Sequence, residues 1–243
     1  MNRTWNSTVR TRLWALFCLL ATVTAAWAGR PLATDDASTV EPGSCYVESW
    51  IEWAGSQRSL VLAPACAVAQ GIEIAAAYAL PHPRDDERAA AGLSFKWVPE
   101  GWKFDSAAGP LGFGFKLGSA WRQPAGAGWQ QSANGALFIA TLVPADAWAL
   151  HANLGVTRDR SSSTTAGLLN LALVWTPRED ALFFAEAQTS NRRSDLGGTV
   201  STAGGRWWAL KDILGVDLTA SQEAGGHNGT RWSFGFGWYG LGL

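Results

Sequence analysis

From Ser44 onward, apolar and polar residues alternate with a period of two along most of the chain. That spacing belongs to strands, whose successive side chains point to opposite faces. In Ala147 to Thr157, one face carries Trp148, Leu150, Ala152, Leu154 and Val156, against Ala149, His151, Asn153, Gly155 and Thr157 on the other. Leu111, Phe113, Phe115 and Leu117 likewise oppose Gly112, Gly114, Lys116 and Gly118. Leu214, Val216 and Leu218 oppose Gly215, Asp217 and Thr219, and Trp232, Phe234, Phe236 and Trp238 alternate with Ser233, Gly235 and Gly237. The pattern predicts twelve strands, at about 44–54, 58–69, 71–80, 90–98, 110–121, 131–143, 147–157, 164–175, 180–189, 198–208, 210–221 and 230–241; ten is the alternative. Two segments carry the rhythm poorly: Leu137 to Val143 is apolar on both faces, and Thr199 to Gly205 is small throughout.

A water-soluble sandwich also alternates, but charges crowd its outer face. Here the second face is mostly Gly, Ala, Ser and Thr with an occasional ion. That suits the inner wall of a barrel whose apolar face meets lipid. The expected fold is therefore all-β, a membrane-spanning antiparallel up-and-down barrel over residues 44–243. Connections after even-numbered strands are mostly short (Gln70, 144–146, 176–179, Ala209), and those after odd-numbered strands are mostly longer and polar (81–88, 122–130, 158–163, 190–197, 222–229). Short periplasmic turns, long outer loops and both termini in the periplasm fit this asymmetry. The short 55–57 and the long 99–109 connections run against it. The phase of the last strand shifts at Tyr239 toward Leu241 and Leu243, which predicts a bulge.

The first 28 residues read as a secretory signal peptide. Arg3, Arg10 and Arg12 precede an apolar run, Leu13 to Ala26, and Ala26-Trp27-Ala28 is an A-x-A cleavage site. The run is shorter than the roughly 20 residues a spanning helix needs. Sec-type export into the outer membrane of a Gram-negative bacterium follows. Residues 29–43 are polar, Pro-containing and aperiodic, an arm that lies in the periplasm or plugs the bore. The mature chain, Gly29 to Leu243, holds 16 basic against 20 acidic residues, a net charge of −4. Without basic clusters it offers no electrostatic footprint for nucleic acid. Of the 15 tryptophans, 12 lie in this part, and the assumed topology sorts them toward two rims. Trp53, Trp121, Trp129 and Trp232 fall at outer strand ends, and Trp97, Trp148, Trp175, Trp208 (or its neighbour Trp207) and Trp238 at periplasmic ends. Two aromatic girdles are expected of a barrel in lipid.

Candidate chemistry is sparse. Cys45 and Cys66 would face each other across the first hairpin near its periplasmic end. In an exported chain this favours a disulfide over two small reduced side chains. Glu48, Glu52, Glu73, Lys96, Lys116, His151, Glu186 and Asp217 occupy the polar face and should line the lumen. There they form either a salt-bridge network filling a narrow bore or a polar constriction that selects solutes. Asp35 and Asp36 of the arm are candidate partners for Lys96, Lys116 or Arg206. No G-x-S-x-G motif, metal-ligand cluster or phosphate loop occurs, so neither catalytic residues nor a cofactor is expected. An enzymatic barrel would need a Ser or Asn within reach of His151 or His227.

Gly29-Arg30-Pro31-Leu32-Ala33-Thr34-Asp35-Asp36-Ala37, then Val40-Glu41-Pro42-Gly43, then the strand segment Glu48 to Glu52, resembles the mature start of a known group. These are the transporter-like outer-membrane proteins associated with the meta-pathway of phenol degradation. The resemblance covers about the first 25 mature residues. It implies an outer-membrane barrel taking up small, often aromatic or apolar, compounds, and it supplies no catalytic residues. The function expected is a transporter or channel. The alternatives are a lipid-modifying enzyme and a structural barrel with a sealed lumen. The implied partners are outer-membrane lipid, the periplasmic barrel-assembly machinery and a small-molecule solute.

Overall fold

The computed structural model describes residues 32–83, 86–191, 199–224 and 229–243. The leader expected at 1–28, the arm's first residues 29–31 and His227 lie outside the described residues. The strands are β1 (Ser44–Ala54), β2 (Gln57–Ala69), β3 (Ile72–His82), β4 (Glu87–Trp97), β5 (Lys103–Ser106), β6 (Gly109–Pro124) and β7 (Gln130–Ala145). They continue as β8 (Trp148–Asp159), β9 (Thr165–Arg178), β10 (Ala181–Ser190), β11 (Val200–Leu210), β12 (Leu214–Glu223) and β13 (Arg231–Gly242). Each long strand pairs antiparallel with its chain neighbours, β4 pairs β6, and β1 pairs β13, so twelve strands close into a barrel. Closure leaves none of these twelve with an unpaired edge, which is what lipid demands of a sheet.

The thirteenth strand, β5, is an addition. The connection expected as a long loop at 99–109 holds a 3-10 turn, Glu100–Trp102, and then β5, which pairs back onto Gly109 to Gly112 of β6. Ser44 opposes Gly242 at the seam, so the barrel begins and ends at one rim, here the terminal rim. At that seam Val47 opposes Trp238 and Cys45 opposes Leu241. One extra residue therefore sits in β13, and Gly240 takes φ +73 there. That is the bulge the phase shift implied. Tyr239 itself continues the inward face, so the apparent shift in phase is an aromatic turned into the bore.

The outer wall is apolar along its length. Leu60, Leu62, Leu93, Leu154, Val156, Leu171, Leu218 and Phe234 are all exposed, Leu154 at 65 %. An uninterrupted surface of this kind is stable against acyl chains, not water. Aromatics gather toward both rims. Trp148 stacks on Trp175 with ring centroids 5.8 Å apart, and Phe183 lies 5.8 Å from Trp175. Trp97 meets Trp102, which the 3-10 turn contributes, at 5.6 Å. Toward the other rim Trp53 opposes Trp232 across the seam, Trp121 opposes Ala91 on the outward face, and Trp129 lies 6.4 Å from Tyr78. One assignment is corrected. Trp208 is not on the outer wall; its ring packs against Tyr239 inside, and the exposed neighbour is Trp207 at 59 %. Strand parity is the reason. Arg206 points inward, so Trp208, two residues on, must do so as well.

The segments that broke the rhythm have local causes. In β7, Ile139 (fully buried) and Leu137 face inward to pack on the arm and Val98, while Phe138 faces out. In β11 the small residues make room. A Cβ on Gly204 would meet the Phe184 ring at 2.8 Å and the carbonyl oxygen of Leu218 at 2.6 Å.

Candidate functional site

The described part of the arm has no regular structure, yet it is anchored along its length. It leaves the terminal rim at Gly43, whose amide donates to the Ala67 carbonyl at 2.8 Å, and runs up into the bore toward Leu32. Three of its apolar side chains each enter a separate cluster on the inner wall. Val40 packs with Tyr46, Ala65, Ala67 and Tyr239; Ala37 with Val98 and Ile139; Leu32 against Ala149, Val174 and Phe184.

An irregular buried backbone must still pair its amides, and inward side chains of the strands do this. The amides of Ala33 and Thr34 and the Thr34 hydroxyl all donate to the Glu186 carboxylate on β10, at 2.9 to 3.2 Å. Asn153 on β8 accepts from the Asp35 amide and donates to the Asp35 carbonyl, both at 2.8 Å. Thr141 on β7 accepts from the Ala37 amide at 2.8 Å and lies 2.9 Å from His151 Nδ1. The hydroxyl thus joins the arm to the His151 ring. The arm's two carboxylates find the two lysines: Lys96 Nζ is 2.9 Å from Asp36, and Lys116 Nζ is 2.8 Å from Asp35. Lys96 also lies 3.7 Å from Asp35.

Arg206, the third candidate partner, is elsewhere. Its Nη2 is 2.9 Å from Asp217, its directly opposed neighbour on β12, and 3.3 Å from Glu48 on β1. Its Nη1 donates to the Tyr239 hydroxyl, which in turn donates to Glu48. The guanidinium carbon lies 5.4 Å from the centroid of Tyr239 and 5.6 Å from that of Trp208, and Tyr46 stacks on Tyr239 at 5.3 Å. Glycines let this cluster form: a Cβ on Gly215 would strike the Arg206 stem at 2.8 Å, and one on Gly237 the Tyr239 ring at 2.6 Å. Arm, ion pairs and aromatics together fill the terminal half of the bore.

Above and beside it is a cup of about 520 Å³, with the arm residues Leu32 to Asp35 as part of its floor, that reaches down one wall to Tyr46 and Glu73. Its walls carry hydroxyls and an amide (Thr202, Thr219, Ser221, Ser233, Gln188), the ring of Trp50, and charged groups including Glu52, Glu73, Lys116 and Arg231. Trp50 donates from its indole nitrogen to Glu52 at 2.8 Å.

The eight inward ions named from the sequence thus divide. Lys96, Lys116, Glu186 and, through Thr141, His151 hold the arm; Glu48 and Asp217 hold Arg206; Glu52 and Glu73 line the cup. Cys45 and Cys66, directly paired in register at the terminal rim, are bonded. The partner of His151 is a threonine that also binds the arm, not the Ser or Asn of a hydrolytic pair. Among the described residues, no group of three or more His, Cys, Asp or Glu side chains is placed to hold a metal. Sequence reasoning missed Asn153, Thr141, Tyr46, Tyr239 and Trp50. For Trp50 a signal existed, since it shares parity with Glu48 and Glu52.

Residues 15–236 match the family model described as "Uncharacterised conserved protein UCP029691". No curated protein matches the chain by sequence. Solved structures similar in fold include the KdgM porin (TM-score 0.57, 10 % identity, covering 79 % of this chain and 98 % of that one). The same porin in complex with disordered oligogalacturonate gives a TM-score of 0.59 at 10 % identity over 79 % and 98 %. The NanC porin gives 0.57 at 6 % identity over 82 % and 100 %. At these identities the likeness is one of fold: the barrel is that of outer-membrane porins.

Proposed function

The chain belongs to the family described as uncharacterised conserved protein UCP029691, and for this member we propose the role of an outer-membrane channel for small solutes, closed by its own N-terminal arm. The observation that carries the reading is the division of the bore. A polar cup open toward the loop rim ends on a floor made by a segment that is not part of the wall. A structural barrel needs no cup, and a permanently sealed one could be filled by wall side chains alone. The arm is held by charge-assisted hydrogen bonds and three small apolar contacts, interactions that can exchange for water without unfolding the strands.

On this reading the leader is removed, the terminal rim faces the periplasm, and the solute meets the cup from outside. The hydroxyls, carboxylates and single indole of the cup favour a polar solute. The aromatic or apolar compounds implied by the opening segment's resemblance find in it only the face of Trp50, so they are the second choice. That a neighbouring porin holds an oligogalacturonate agrees with passage of polar solutes through barrels of this shape.

Flux into liposomes tests the proposal. The mature barrel should admit small polar solutes slowly, and a form lacking residues 29–40 should admit them freely. No permeability in either form sinks the channel.

A further inference from the structure

Glu73 and Lys96 are directly opposed on β3 and β4, the arrangement in which unlike charges ordinarily pair across strands. They do not pair here. Lys96 turns to the arm, to Asp36 at 2.9 Å and Asp35 at 3.7 Å. Glu73 keeps a single hydrogen bond, from the Tyr46 hydroxyl at 3.2 Å. Among the described residues it has no cationic partner within ion-pair distance, although it is only 7 % exposed and borders the cup. Lys96 still acts on it through space, but a buried carboxylate with no cation in contact remains costly, and a cation seated against it relieves that cost.

The rest of the cup points the same way. Its lining includes five carboxylates (Asp35, Glu48, Glu52, Glu73, Glu186) and two cationic side chains, Lys116 and Arg231. Asp35 is taken by Lys116 and Glu48 by Arg206. Glu186 binds amides, which satisfy its oxygens without cancelling its charge. Glu52 is met by the Trp50 indole N–H, which places an aromatic face beside a carboxylate, a pairing suited to organic cations. A low-dielectric cup with one sign in excess concentrates ions of the other.

Resting on the channel reading above, we infer that the cup takes cationic solutes, amines or polyamines, with Glu73 as the principal contact and Glu52 beside Trp50 as a second. The seated arm creates this site by withdrawing Lys96 from Glu73.

Calorimetric titration of the folded, full mature barrel in detergent tests this without requiring flux. Spermidine is the probe and citrate its anionic counterpart. The expected result is binding of spermidine and not of citrate. Glu73→Gln should weaken spermidine binding at least about tenfold, as for the loss of one charge-assisted hydrogen bond. Asp36→Asn, which lies outside the cup, should weaken it as well, because Lys96 then returns to Glu73. Heat-modified gel mobility establishes that each variant is folded. Binding of citrate over spermidine, binding of neither, or a Glu73→Gln barrel that binds as the parent does would each overturn the inference. Should spermidine bind as expected while no liposome form conducts, the channel reading fails and the cation site stands.

Discussion

The two halves of the bore are built from the same twelve strands and share neither chemistry nor consequence. In the terminal half, inward side chains are large and charged, most of them paired with one another or with the arm, and an extra segment of chain lies among them. In the loop half, hydroxyls, one amide and one indole stand among a few charged groups and leave the bore open. The wall alone does not produce this contrast; the arm does. It consumes Lys96, Lys116, Asn153 and Glu186, which would otherwise have to pair with each other or stay wet. What separates a filled barrel from a usable one is therefore a handful of residues before the first strand.

The sharpest way to break the contrast is at Arg206. Arg206→Met should destabilise the barrel by about 3–5 kcal/mol, since Glu48 and Asp217 are then left buried without their cation; unfolding by denaturant in detergent measures it. Next comes Lys96→Met. It removes the 2.9 Å ion pair to Asp36, but the arm can withdraw into water, so the penalty appears as release. Protease cleavage of the arm should become fast while the strands keep their stability. Asn153→Leu removes two hydrogen bonds to Asp35 and should weaken arm seating by about 1–3 kcal/mol, read as increased solute flux. In the loop half, Ser221→Ala removes one hydroxyl contact, to Thr202 at 2.9 Å, and should cost only about 0.5 kcal/mol. If it costs as much as Asn153→Leu, the two halves do not differ as described.

The smallest effect is at the loop rim. Asp159 accepts from the Ser161 hydroxyl and from the Ser162 and Ser161 amides, which together hold its carboxyl down to about 2. A depressed value stabilises the loop above the ordinary value of 3.8 and ceases to as pH falls through about 2. Amide exchange at Ser161 and Ser162 should thus stay slow through mild acid and quicken only below that window.

Much of the wall was legible in the chain. Alternation placed Glu48, Glu73, Lys96, Lys116, His151, Glu186 and Asp217 on one face, because strand parity is a local property. Parity carried further would have turned Trp208 inward beside Arg206 and Trp50 inward beside Glu52. Tryptophan on the inward face goes against the girdle rule that placed Trp208 at the rim. Asp35 and Asp36 could be matched to lysines by charge. Choosing between Arg206 and those lysines required knowing that Asp217 lies opposite Arg206, which is a fact of register. Asn153 and Thr141 gave no sign, since a neutral polar residue on an inward face looks the same whether it holds a segment or only water.

The arm's bonds span long stretches of chain: Thr34 reaches Glu186 across 152 residues and Asp35 reaches Asn153 across 118. Contacts so distant in sequence form late, after the loop-closure entropy has been offset by the strands between them. Asn153 and Glu186 are aligned only once the sheet around them exists. On the channel reading proposed above, the arm then seats after the strands have closed, and each newly made copy passes through an interval with its bore unplugged. On that same reading, the speed of this last step sets the leakage that each new copy brings.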